Sequence, residues 1–393
     1  LAMSRRVVIV GGGFAGIKAA RELASDRRFS ITLVSDKDNF EYHAALYRSA
    51  TGRSPLEVSV PLNQIFARTA VTVVHDTAEH IDVQTRTLHG ASGTSYEYDE
   101  LILALGAVTS YFGITGLPEY SYNIKTMDDA MSLKEHLHTE LTSGHQPDLH
   151  YVVVGAGPSG VELAAEMMSY LKRLRKNHHI HKNFHIDLVE AAPRILPSLP
   201  ERFSRVIERR LKRLGIKLYT STAVKGETAD ELQLPRGSIR THTVIWTAGL
   251  TNDPFYGQHA KLFSLGKGGK VEVDEYLSAG YNIWVLGDSA LTPKTGWAQT
   301  AVYDGTYVAR VLKAQQSEQP LPHYQPPQPI GAIPVGPHWC GVSMSGLQLF
   351  GYVGWTVRRW ADFHLYRQIM PLRLAVRSWL MGNRHSETCP ECR

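Results

Sequence analysis

At 393 residues the chain exceeds one ordinary hydrophobic core, and two or three domains are expected. A hydrophobic fraction of 43% with 20% charged residues excludes a disordered chain and describes a globular enzyme. The net charge of +5 is spread along the chain without an aromatic-plus-basic repeat, which argues against nucleic acid as a partner and suits an anionic lipid bilayer surface. The three cysteines, Cys340, Cys389 and Cys392, all fall late. They offer the body of the protein no disulfide framework, so a reducing, cytoplasmic setting is expected. A strand pattern starts at Arg5, so no signal peptide is expected. No stretch reaches the roughly 18 apolar residues of a spanning helix.

Residues 7–10 (VVIV) are a β-branched run of the kind buried in a parallel sheet. They lead into Gly11-Gly12-Gly13-Phe14-Ala15-Gly16, then an amphipathic helix and a second strand, SITLV. A GxGxxG motif between strand and helix marks a dinucleotide site. Gly11 makes the turn, Gly13 lets a pyrophosphate approach the backbone, and Gly16 lets the helix pack on the strand with its N-terminus toward the phosphates. The acid that takes the ribose hydroxyls usually follows the strand's last apolar residue. Ser35 stands there, so Asp36 is the candidate, less directly placed.

The pattern recurs from residue 151. YVVV leads into Gly155-Ala156-Gly157-Pro158-Ser159-Gly160, the helix VELAAEMMSYLKRL and the strand FHIDLV, which ends at Glu190. Such a repeat implies two doubly wound α/β domains, each with its own nucleotide. Glu190 is positioned to bind a ribose diol and repel a 2′-phosphate, so NADH is expected over NADPH.

Three further segments resemble those of the two-dinucleotide-binding flavoproteins, the glutathione-reductase-like fold. YDELILALGA (98–107), with Ala104-Leu105-Gly106, is similar to the segment that returns the chain from the first dinucleotide domain. TVIWTAGL (243–250), with Ala248 and Gly249, is similar to the exit from the second. NIWVLGDSA (282–290) resembles the motif, here Gly287-Asp288, whose aspartate binds the ribityl chain of FAD.

Within that superfamily the chain most resembles the type II NADH:quinone oxidoreductases. The resemblance rests on FEYHAALYRSATG (40–52), on VELAAE (161–166), on the long 171–185 connection, and on Ala298-Gln299-Thr300-Ala301-Val302-Tyr303-Asp304-Gly305, which is similar to the family's quinone-site motif AQxAxQxG. It implies FAD as cofactor, NADH as substrate, a membrane quinone near Gln299 and Tyr303, and Glu162 beside the nicotinamide and flavin. Tyr303 replaces the motif's second glutamine, and a phenol can still donate to a quinone carbonyl. Glu166 reads as an ordinary helix residue. The expected partition is an FAD-binding domain over 4–115 and 266–335, an NADH-binding domain over 116–265, and a C-terminal segment over 336–393.

Disulfide reductases of this fold need a cysteine pair beside the flavin, and residues 35–60 hold none. Sulfide:quinone reductases also need flavin-flanking cysteines from mid-chain, where this sequence has none. Electrons must then leave the flavin directly. Between residues 339 and 384, six arginines face the single acid Asp362 among Leu, Ile, Met and Trp. This composition reads as amphipathic helices that dock on a membrane and stand apart from the redox core, with a dimer interface as the other use of such a face. The Pro-rich 320–337 stretch reads as a connector. His178, His179, His181 and His185 read as a polar loop and no metal is expected there. His385, Cys389 and Cys392 have ligand types suited to zinc or form an idle tail. A reductase of a soluble acceptor such as ferredoxin, and a non-catalytic flavin module, are the competing functions.

Overall fold

The computed structural model describes residues 4–143, 148–382 and 384–386. The first unit contains β1 (Arg5–Val10), α1 (Phe14–Leu23), β2 (Phe29–Ser35), β3 (Val71–His75) and β4 (Glu100–Leu103). The second contains β5 (Asp148–Val154), α2 (Pro158–Asn177), β6 (Asn183–Val189), α3 (Glu201–Leu214), β7 (Lys217–Tyr219) and β8 (Thr243–Trp246). The chain then returns through β9 (Ser278–Gly280) and β10 (Ile283–Val285) to the first sheet, whose order is β9-β10-β4-β1-β2-β3. The second sheet has the order β7-β6-β5-β8. In both, the strand that feeds the glycine loop lies between two parallel neighbours, and Val7–Val10 and Tyr151–Val154 are buried on both faces. Ligands of such sheets bind at the carboxyl ends of those central strands.

An antiparallel ribbon, residues 107–109 against 250–252, ties the two units together. The helix after the second glycine loop runs to Asn177 and β6 begins at Asn183, so the connection is only 178–182 and His185 lies in a strand. The extra length read as loop is largely helix.

Helix α4 (Ala298–Gln316) crosses α1 at Gly305, where an added Cβ would sit 2.5 Å from the Ala15 carbonyl oxygen. The glycine of the AQ motif therefore serves helix packing. Residues 320–330 form an irregular strap, followed by the antiparallel strands β11 (Gly331–Pro334), β12 (Cys340–Met344) and β13 (Leu347–Leu349).

Helices α5 (Tyr352–Ile369) and α6 (Leu372–Met381) close the described chain. The expectation of a dock separate from the redox core needs correction. Helix α5 buries Arg358, Arg359, Asp362, Tyr366 and Ile369 against the first unit, and Gln368 accepts a hydrogen bond from Lys18 of α1 at 2.9 Å. Outward, Trp360 is 64% exposed, and Leu372, Val376 and Leu380 form an exposed stripe at i, i+4, i+8 of α6 beside Arg373 and Arg377. The segment thus has an inward polar face that fastens it and an outward apolar face. No helix among the described residues is long and apolar enough to cross a membrane.

Candidate functional site

The two glycine loops have matching local physics. Gly11 (φ +112°) has no room for a Cβ, which would lie 2.3 Å from the Ala104 carbonyl oxygen, and Gly155 (φ +101°) is pressed on Ala248 in the same way. At Gly13 and Gly157 an added Cβ would meet nothing within 4 Å, so each loop opens there toward space. Gly16 and Gly160 seat their helices on the Gly11 and Gly155 carbonyls, where a Cβ would intrude to 2.0 and 1.8 Å. Two cradles with free backbone N–H groups at helix N-termini, one starting at Phe14 and the other at Pro158-Ser159, fit the pyrophosphates of FAD and of NADH. Phe14 contributes its amide there, while its ring packs edge-on against Phe40 and Tyr42 at 4.9 and 5.2 Å.

The ribose acids differ. Val10 pairs with Val34 and Val154 with Val189, which makes Ser35 the positional equivalent of Glu190. The Glu190 carboxylate is fixed at the strand end by the Ala156 amide at 2.6 Å and the Ala192 amide at 2.8 Å. The Ser35 hydroxyl instead donates to the Lys37 carbonyl at 2.8 Å, and Asp36 is exposed one residue beyond. Asp36 is therefore displaced from the place an adenosine ribose would require.

Asp288 follows Gly287 (φ +67°), whose amide donates to the buried Asp304 at 3.0 Å, while the Ser289 hydroxyl donates to the Gly106 carbonyl at 3.0 Å. The exit segments, the aspartate loop and the glycine loop therefore converge. Sequence reasoning missed the cations around Asp288. Lys270 donates to the Asp288 carbonyl, and the charge of Lys125 bears on the Asp288 carboxylate and on His43. Desolvation, with Lys125 and Lys37 nearby, lowers the His43 imidazole below its usual range, although the side chain is 46% exposed. These groups come from distant segments, and no local pattern marks them.

Glu162, in the first turns of α2, is buried, and no hydrogen bond or ion pair of its carboxylate is found among the described residues. Burial pushes its carboxyl up to about 8, with Arg358 and Arg48 opposing the shift. Below Glu162 lies a buried ion cluster. Arg48 bridges Glu57 and Asp362, Arg358 pairs with Asp362, Arg359 reaches Glu57 at 3.5 Å, and Tyr42 donates to Asp362 at 3.1 Å. Glu166 also departs from the ordinary helix residue expected, since it is buried and accepts two hydrogen bonds from Arg53 at 2.7 and 3.0 Å. A small pocket beside this cluster is lined by Arg48, Arg53, Glu166, Trp355, Arg358 and Arg359.

Gln299 and Tyr303 share one face of α4, and that face is engaged by the strap. The Gln299 amide donates to the Ile330 carbonyl at 3.0 Å and accepts from the Ile330 amide at 3.1 Å. The Tyr303 hydroxyl accepts from the Gln325 amide at 3.1 Å, and Tyr324 of the strap donates to Asp304 at 2.8 Å. Both polar groups assigned to an acceptor thus hold backbone, and Ala298 only begins the helix that carries them.

Cys340 is buried and burial pushes its thiol up to about 12. It lies nearer the site than its sequence position suggests, because the charges of Glu162, Arg358 and Arg48 reach it. No second cysteine stands beside it among the described residues, and Cys389 and Cys392 lie outside them. No group of three metal-ligating side chains is found among the described residues.

Residues 5–305 match the pyridine nucleotide-disulphide oxidoreductase family. The chain is 28% identical to a type II NADH:quinone oxidoreductase of Mycobacterium tuberculosis over 92% of its own length and 83% of the relative's. With the type II NADH:quinone oxidoreductase of Staphylococcus aureus it shares 26% identity over 80% and 84%. Its fold superimposes on the NDH2 of Plasmodium falciparum solved with NADH at a TM-score of 0.86, covering 96% and 97% of the two chains at 17% identity. It also superimposes on the sulfide:quinone oxidoreductase of Aquifex aeolicus at 0.81, covering 99% and 98% at 20% identity.

Proposed function

The chain belongs to the pyridine nucleotide-disulphide oxidoreductase family, and we propose that within it the chain works as a type II NADH:quinone oxidoreductase that passes two electrons from NADH through FAD to a membrane quinone without pumping protons. One observation carries the proposal: two dinucleotide cradles share a single chain, and no cysteine pair among the described residues could relay electrons. FAD, when bound, supplies the chemistry of accepting a hydride and giving up electrons. Gly11, Gly13, Gly16, Ala104, Gly106 and Asp288 would hold it, with Lys125 and Lys270 adding positive charge around the aspartate loop. Gly155, Gly157, Gly160, Glu190, Ala248 and Gly249 would hold NADH. The fixed carboxylate of Glu190 favours a ribose diol over a phosphate.

Glu162, its carboxyl raised by burial to about 8, would hold a proton near pH 7 for a quinone reduction that consumes two. Gln299 and Tyr303 would meet the acceptor when the strap releases their polar atoms. The exposed stripe of α6, with Trp360 and the exposed arginines Arg367, Arg373 and Arg377, supports docking on an anionic bilayer, in keeping with a peripheral protein of the cytoplasmic face. The same face could be shared with a second copy in a homodimer. Domain limits of 4–115 with 266–335, 116–265 and 336–393 complete the proposal.

Steady-state NADH oxidation with a short-chain quinone, a ferredoxin and ferricyanide tests the acceptor. Quinone turnover well above ferredoxin turnover is expected. Rapid ferredoxin reduction without quinone turnover would move the chain to the soluble-acceptor class. No turnover with any acceptor would leave a non-catalytic flavin module.

A further inference from the structure

Helix α3 belongs to the second nucleotide unit and plays no part in either cradle. Its sequence ERFSRVIERRLKRL carries Arg202, Arg205, Arg209, Arg210, Lys212 and Arg213 against the acids Glu201 and Glu208. Phe203, Ile207 and Leu211 are buried, and Phe203 packs on Phe350 just past β13 at 5.4 Å. The helix is thus fixed by one face. The two carboxylates neutralise one flank, since Glu201 pairs with Arg205 and Glu208 with Lys212.

Arg202, Arg209 and Arg213 are exposed, and no ion pair of theirs is found among the described residues. At about 100° per residue they fall within roughly 40° of one another, on a single outward stripe. The flank of α3 beside this stripe, which carries Arg210, adjoins the C-terminal segment. The Arg210 guanidinium lies 5.5 Å from the centre of the Trp339 ring. The preceding residue, His338, lies 6.4 Å from Tyr352 and 4.9 Å from Trp355. Tyr352 and Val353 are exposed at the start of α5, as is Leu347 on the neighbouring hairpin.

We propose that α3 is an electrostatic arm of the membrane footprint, whose unpaired arginines bind the phosphates of anionic lipids beside the apolar surface of α5 and α6. The inference rests on the docking reading above and extends it to the nucleotide unit. Charge complementarity and continuity with exposed Tyr352, Val353 and Leu347 favour a lipid surface. A nucleic acid would use the arginines and leave the apolar neighbours unexplained. Arginine suits the role because its guanidinium binds phosphate in a fork while its stem lies along apolar surface. With two attachment regions, the second nucleotide unit is held at a fixed height above the layer in which a lipophilic quinone dissolves.

The test uses the FAD-loaded full chain and vesicles of phosphatidylcholine with or without phosphatidylglycerol. In Arg202→Ser/Arg209→Ser/Arg213→Ser, partition onto the anionic vesicles should fall about a hundredfold, from about 1 kcal/mol for each interfacial basic residue. Partition onto neutral vesicles should not change, and added salt should erase most of the difference. Flavin absorbance and ferricyanide turnover should match the parent protein, and the triple Arg→Lys variant should recover most of the binding. If the Ser variant binds anionic vesicles like the parent while Trp360→Ser/Leu380→Ser releases the protein, the arm is overturned and docking by α5 and α6 stands. A parent protein that binds neither vesicle overturns both. Loss of duplex DNA or RNA binding in the Ser variant, with vesicle binding unchanged, would also overturn the proposal.

Discussion

Replacing Asp362 by Asn probes the attachment of the C-terminal helices where it is most sensitive. Asp362 is wholly buried and serves Arg48, Arg358 and the Tyr42 hydroxyl. The side chains of both arginines are only 8% exposed. Asn keeps the shape and one acceptor but removes the charge, leaving Arg48 with Glu57, which Arg359 also reaches, and Arg358 with no ion pair among the described residues. Breaking a buried pair from one side costs about 3–5 kcal/mol, much of it from the stranded charge. Four of the seven tryptophans, Trp339, Trp355, Trp360 and Trp379, lie in this C-terminal region, so tryptophan fluorescence reports on it during guanidinium denaturation of the FAD-loaded protein. A loss of that size in the fluorescence transition is expected for Asp362→Asn. Asp362→Leu/Arg358→Met should recover most of it, because Arg48 still pairs with Glu57 and no charge is left alone. An Asn variant within about 1 kcal/mol of the parent would show that the cluster is not dry and would refute the reasoning.

Other consequences follow from single groups. Glu190→Arg should lower the preference for NADH over NADPH ten- to a hundredfold, the worth of a charged hydrogen bond at about 1.5–3 kcal/mol. Equal use of both cofactors by the parent enzyme would show that Glu190 does not face the ribose. Burial raises the Glu162 carboxyl from 4.5 to about 8, so between those values the unfolded chain sheds a proton that the folded chain keeps. Stability should therefore fall as pH rises through that window and level off above it, and Glu162→Gln should remove this component. Parallel stability curves for parent and variant from pH 4.5 to 8 would contradict the assignment. Cys340→Ala should keep quinone turnover while costing about 1 kcal/mol of packing, and lost turnover with FAD still bound would restore a thiol step.

The nucleotide cradles were legible because their physics is local. Gly11, Gly13 and Gly16 act within one turn of chain, and the same spacing at Gly155, Gly157 and Gly160 has the same effect. Glu190 was legible for the same reason, and the displacement of Asp36 was visible in Ser35. The arginines of α5 were misread from composition. Arg358, Asp362 and Tyr366 fall at i, i+4, i+8, and this spacing, with the lone acid four residues after an arginine, marks an inward stripe. Their partners Arg48 and Glu57 are some 300 positions away, and only the fold brings them together. The strap's hold on Gln299 and Tyr303 is equally non-local, since it is made through backbone groups that carry no side-chain signal.

Anaerobic titration of the purified yellow protein with NADH, followed by a short-chain quinone, tests the central claim most directly. One equivalent of NADH should bleach the flavin absorbance, and one equivalent of quinone should restore it without any thiol reagent or metal. A flavin that NADH leaves unbleached, or a bleached flavin that quinone fails to reoxidise, would contradict the account.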